Sequence, residues 1–137
     1  MGDRTSIQFM VNDSITETSV VLFAHWGGIS IVQEAVEYIQ QLKMDDLGGQ
    51  SPLGRYEPHY VMIDFIRHQL LNGNIDTDDH YSKSDTPRVM SNHYLGKDEE
   101  DGDNSDNGHF VIDITKERVY GRSPTSDIPF SLVQELG

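Results

Sequence analysis

The chain has 137 residues, a formal net charge of −13 and no cysteine. That length fits a single domain over 1–137 with a self-sufficient core. The charge argues against direct binding to nucleic acid or to an anionic membrane, and the lack of cysteine excludes a disulfide framework, a thiolate zinc site and a cysteine nucleophile. No apolar run approaches the roughly 20 residues needed to span a bilayer, and Met1-Gly2-Asp3-Arg4-Thr5 lacks a signal-peptide layout. The expected location is therefore cytoplasmic.

The acidity is concentrated. Residues 73–87 and 97–108 hold ten of the 23 acidic side chains and only two of the ten basic ones, Lys83 and Lys97. Both stretches read as loops. Solubility alone accounts for such charge, and a basic protein partner, cation binding or mimicry of nucleic-acid charge are its functional alternatives.

In chain order, Thr5 to Val11 alternates as a half-buried strand. Asn12-Asp13-Ser14 supplies turn chemistry, and Thr18 to Trp26, apolar on both faces, reads as a central strand antiparallel to the first. Gly27-Gly28 ends it. Ser30 reads as an N-cap, with Gln33 completing a capping box, for a helix over about Ile31 to Lys43. Val32, Ala35, Val36, Ile39 and Leu42 form its inner stripe. Residues 44–56, with Gly48-Gly49, Pro52 and Gly54, read as a long loop. Pro58 opens a second helix whose apolar face is Val61, Met62, Phe65, Ile66 and Leu70, and Asn72-Gly73 ends it.

Arg88 to Leu95 is a weaker strand. Phe110, Ile112 and Ile114 alternate on another, Thr115-Lys116-Glu117 turns the chain, and Arg118 to Arg122 returns it. The tail from Asp127 to Val133 adds a short helical turn over an open edge. The order β-β-α-α-β-β-β predicts an α+β two-layer sandwich, with a mostly antiparallel sheet carrying both helices on one face.

The leading candidate site is His25-Trp26-Gly27-Gly28, where the central strand hands over to the helix beginning at Ser30. Glycines there let backbone N–H groups approach an anion or oxyanion, and His25 is the candidate general base, general acid or metal ligand. Trp26, Gly27, Gly28 and Ser30 would line the ligand. Over a few residues the segment resembles the His-Gly-Gly oxyanion segment of lipase-like esterases. Trp26 departs from that pattern and no Gly-x-Ser-x-Gly motif accompanies it, so that activity is not carried over. The structural alternative is a sharp turn with Trp26 covering the edge of the core.

Tyr60, Asp64 and His68 share one face of the second helix, beside His59, Ile63 and Arg67. Asp64 and His68 could ligate zinc or pair as acid and base. A solvated face with a weak Asp64–His68 pair is the simpler expectation. Asp76, Asp78, Asp79 and His80 form a further polar cluster in a loop. In the stretch 98–108, Asp101, Asp103 and Asp106 are candidate calcium ligands. From Asp103 the spacing fits the first half of an EF-hand loop, but position twelve is Ile114. The alternative there is a disordered, solvated hairpin loop.

These features predict a protein-binding or accessory module acting on a basic partner, with no cofactor expected. The first alternative is a small hydrolase or metal-assisted enzyme at the His25 junction, with 44–56 as a lid. The second is weak calcium binding by 98–108. A homo-oligomer through exposed sheet edges is a further option.

Overall fold

The computed structural model describes residues 3–12, 16–25, 28–45, 56–71, 93–121 and 128–136. Of the expected loop and lid over 44–56, residues 46–55 lie outside them, as do the cluster at Asp76–His80, Trp26 and Gly27, while residues 44 and 45 belong to a helix. Among the described residues, six strands form one sheet: β1 (Thr5–Met10), β2 (Val21–Ala24), β3 (His93–Gly96), β4 (Gly108–Asp113), β5 (Arg118–Gly121) and β6 (Ile128–Pro129). Their order is β3-β2-β1-β4-β5-β6. Helices α1 (Ser30–Asp45), α2 (Pro58–Leu71) and α3 (Phe130–Leu136) complete the fold. The α+β class and the order of the first seven elements are as the sequence predicts. The two-residue β6 and the seven-residue α3 replace the single helical turn expected in the tail.

The alternation in β1 sorts its side chains cleanly. Ile7 and Phe9 face the helices, together with Leu22 and Ala24 of β2 and Phe110 and Ile112 of β4, and all join one core with Val32, Val36, Val61 and Phe65. β2 is buried at all four positions, as a central strand should be. Phe65 meets Phe9 edge-on at 5.7 Å and Tyr38 at 5.5 Å, which ties α2 to both α1 and the sheet. Phe130 and Val133 bring α3 into the same core.

The predicted capping box at Ser30 is not what closes this end of α1. Val32 and Gln33 donate their backbone N–H groups to the Ile29 carbonyl. The Gln33 side chain donates instead to the Val133 carbonyl, 3.1 Å away on α3. A tertiary acceptor has displaced the local one.

One strand pair decides the topology. β1 and β4 are parallel, with Thr5 opposite Gly108 and Met10 opposite Asp113. β1–β2, β2–β3, β4–β5 and β5–β6 are all antiparallel. β3 and β4 therefore run in the same direction on opposite sides of β2 and β1. The chain between them, 97–107, is not the hairpin loop expected from the sequence. It crosses the sheet on the face away from the helices. Strands that run in the same direction cannot be joined by a tight turn, and this crossover joins β3 to β4 past β2 and β1 with no helix of its own.

Candidate functional site

The crossover is fastened along its length. It first folds on itself: Asp101 Oδ2 accepts the backbone N–H groups of Lys97 at 2.6 Å and Asp98 at 3.1 Å, and Asp98 Oδ1 accepts that of Glu100 at 2.9 Å. Gly102 then lies on the stacked rings of Phe23 and Tyr94, whose centroids are 4.9 Å apart. The Tyr94 hydroxyl accepts the N–H of Asp103 at 2.9 Å. Farther along, Asn107 donates its side-chain amide to Asp3 Oδ1 at 2.6 Å and Thr5 Oγ1 at 3.0 Å. Arg4 lies 3.3 Å from Asp103 and 3.4 Å from Asp106.

Under the crossover runs a buried polar chain that the sequence reading missed. Ser6 is fully buried and His109 is 6 % exposed. Gln8 Nε2 donates to the Ser19 carbonyl at 3.0 Å, which fixes the amide orientation. Gln8 Oε1, 2.7 Å from His109 Nε2, is then the acceptor. With its proton on Nε2, His109 accepts the Ser6 hydroxyl at Nδ1, 2.8 Å away. Asn104 Nδ2 in turn donates to Ser6 Oγ at 2.8 Å. A hydroxyl on an imidazole oriented by a third group is also the pattern of an activated nucleophile. Here the crossover roofs it, and the chain acts as the seat for Asn104. Ser6 and His109 lie 103 residues apart, and only the parallel β1–β4 pairing makes them neighbours on one face.

At the predicted junction, Gly28 turns at φ +57°, and a Cβ there would strike the Asp3 carboxylate. Its N–H donates to the Asp3 carbonyl at 2.8 Å, and its carbonyl accepts the Thr5 hydroxyl at 2.8 Å. His25 is partly buried, and its backbone carbonyl accepts the N–H of Asp3. Ser30 is exposed. The groups described at this junction thus fasten the start of α1 to β1. The junction also meets the acidic stretch, which the sequence treats as separate. The Asp103 carboxyl is held below its ordinary value chiefly by the Ser105 hydroxyl and backbone N–H, with smaller help from Arg4 and His25.

The candidate metal ligands do not converge. Asp101 and Asp103 are engaged with backbone N–H groups, and Asp103 and Asp106 with Arg4. On α2, Asp64 accepts the Tyr38 hydroxyl at 2.5 Å and Arg67 Nε at 3.0 Å. His68 packs on the Tyr38 ring at 5.4 Å. The Asp64 carboxylate therefore serves the α1–α2 contact and not the pair expected with His68. Gln69, 2 % exposed, reinforces that contact by donating to Glu34 at 2.7 Å. Burial raises the Glu34 carboxyl above its ordinary value, and the Gln69 bond opposes the shift. Among the described residues no group of three or more His, Asp or Glu side chains is placed to hold a metal ion.

The Tyr38–Asp64 bond gives a direct expectation. Burial, then Asp64, raises the phenol above its ordinary value, so the hydroxyl stays a donor throughout the working pH range. Tyr38→Phe should lower stability by about 1 kcal/mol, measured by urea unfolding. An unchanged midpoint would mean that the bond contributes nothing.

The crossover leaves part of the second sheet face open. Beside it lies a cleft of about 430 Å³, floored by Gln8, Met10, Val111 and Tyr120 and walled by Thr18, Lys97 and Asp98. Gln8, Val111 and Tyr120 form one row across β1, β4 and β5. A larger hollow of about 590 Å³ lies between 16–18 and the start of α2, where His59 is 3.2 Å from Glu57. Only the first touches the acidic crossover. The chain matches no protein-family model, no curated protein and no solved structure, so its function must be read from these residues.

Proposed function

We propose that this protein is a binding module without catalytic chemistry that docks a basic protein surface on its acidic crossover. The observation that carries the reading is the fastening of 97–107. The segment holds six carboxylates, and those of Asp98, Glu100, Asp101, Asp103 and Asp106 are exposed. Its turns are fixed by Asp98 and Asp101, and its far end by Arg4 and Asn107. Charge displayed on a fixed backbone loses little conformational entropy on docking, and its long-range field speeds encounter with a cationic partner. No helix among the described residues is long and apolar enough to cross a membrane.

Titration with an octalysine peptide at low salt tests this reading. The Glu99→Gln/Glu100→Gln pair should weaken binding about three- to tenfold, as expected for one half-exposed and one exposed charge contact. Glu37→Gln/Asp45→Asn removes the same charge from exposed positions on α1 and should weaken it far less. Equal losses would reduce the effect to net charge and sink the docking surface. So would the absence of binding.

A further inference from the structure

We propose that the cleft beside the crossover is the anchor point of that basic partner and takes one arginine side chain. This inference rests on the docking reading above and adds the residue that the partner must supply.

The cleft combines two kinds of surface. Its floor presents the Met10 and Val111 side chains and the Tyr120 ring, with the Gln8 carboxamide in the same row. Its wall carries Lys97 and Asp98, at the point where the chain leaves β3 for the crossover. Asp98 spends Oδ1 on the Glu100 N–H, and its Oδ2 has no hydrogen-bond partner among the described residues. The occupant that fits is a side chain with an apolar stem and a charged head. Arginine lays its methylenes on aliphatic groups, stacks its guanidinium on an aromatic ring and bonds a carboxylate through a planar fork.

The sign of the charge follows from the surroundings. Residues 97–101 set one cation, Lys97, against four carboxylates. A cationic head is therefore favoured, and Lys97 is the one group on the wall that opposes it. An anionic or zwitterionic occupant would need Lys97 as its contact, so the same substitution separates the two cases.

The test uses the full chain and labelled nine-residue peptides, Lys-Gly-Lys-Gly-X-Gly-Lys-Gly-Lys, with X as arginine, lysine or citrulline. Arginine should bind about tenfold tighter than citrulline and a few-fold tighter than lysine, as stacking and a paired head group together predict. Asp98→Asn, which can still accept the Glu100 N–H, should abolish the preference for arginine over lysine. Lys97→Gln should tighten arginine binding a few-fold, and amide shifts on titration should centre on Gln8, Val111 and Tyr120. Three results would overturn the anchor: equal binding of all three peptides, a preference that survives Asp98→Asn, or weaker binding by Lys97→Gln. Equal binding that still depends on Glu99 and Glu100 would remove the arginine anchor and leave the docking surface standing. If no peptide binds, both fail.

Discussion

Gly102→Ala should destabilise the protein by about 2–3 kcal/mol, toward the upper end for overpacking a close contact. A Cβ at Gly102 would lie 2.6 Å from Tyr94 Cε2 and 2.8 Å from Phe23 Cδ1. The Phe23 ring cannot retreat, and Tyr94, 42 % exposed, can do so only by giving up its stacking and its bond to the Asp103 N–H. Phe23 is fully buried in a central strand, and Tyr94 stacks on it with the ring planes only 9° apart. The methyl must therefore push either the Tyr94 ring or the crossover outward, and both movements part the Tyr94 hydroxyl from the Asp103 N–H. Urea unfolding of the single variant gives the cost. A cycle with Tyr94→Ala gives its cause, because removing that ring opens space for the methyl and should return at least 1 kcal/mol as coupling. Additive effects would show that the crossover does not rest on this aromatic pair. A loss that leaves octalysine binding intact would separate the fastening of the crossover from its role in docking.

The elements that the sequence reveals are those whose cause is local. The alternation of Ile7 and Phe9, the inner stripe of α1 and the proline at the start of α2 each report their own surroundings within a few residues. They predict the strands, both long helices and the α+β class. The crossover is different. Its acidic run has the composition of a solvated loop, and the groups that hold it down are Arg4, just before β1, Ser6 of β1, Phe23 of β2 and Tyr94 of β3. Only Tyr94 is near it in sequence. Its polar residues are also misleading when read singly. Asp101, Asp103 and Asn107 have the oxygen chemistry of a calcium loop, yet their bonds go to backbone N–H groups, Arg4 and Asp3.

The candidate site shows the same division. His25 and Gly28 are conspicuous because histidine and glycine close a strand, and Gly28 does occupy a turn that only glycine adopts without strain. Its bonds to Asp3 and Thr5 give that turn a mechanical task. The cleft leaves no comparable trace. Gln8, Val111 and Tyr120 look like ordinary outward positions of three strands until the β4-β1 register aligns them. A polar residue facing away from a predicted core, such as Gln8 or His109, is the one signal that a second face is covered. Combining those positions across strands requires the strand order.

A histidine that was not singled out from sequence carries the second large effect. His93 opens β3 opposite Ala24, and its Nδ1 is buried with no hydrogen-bond partner among the described residues. Burial lowers its pKa from 6.5 to about 4, because the imidazolium would have to give up hydration without gaining a partner. The folded protein therefore holds His93 neutral at pH 5, where the unfolded chain protonates it. Since the unfolded state binds more protons, stability falls as pH drops from about 6.5 toward 4, and the loss saturates once both states are protonated. After allowance for partial exposure of the ring, the contribution is about 2 kcal/mol. His93→Leu removes the titration and the orphan nitrogen together, so it should match or exceed wild-type stability at pH 4.5. Carboxylate titration lowers both proteins over the same range, and the difference between their urea midpoints from pH 7 to 4.5 isolates His93. The wild type should lose about 2 kcal/mol more than the variant across that interval. Parallel pH profiles would show that the ring is hydrated or hydrogen-bonded in solution, and that the start of β3 is more open than its pairing with Ala24 implies.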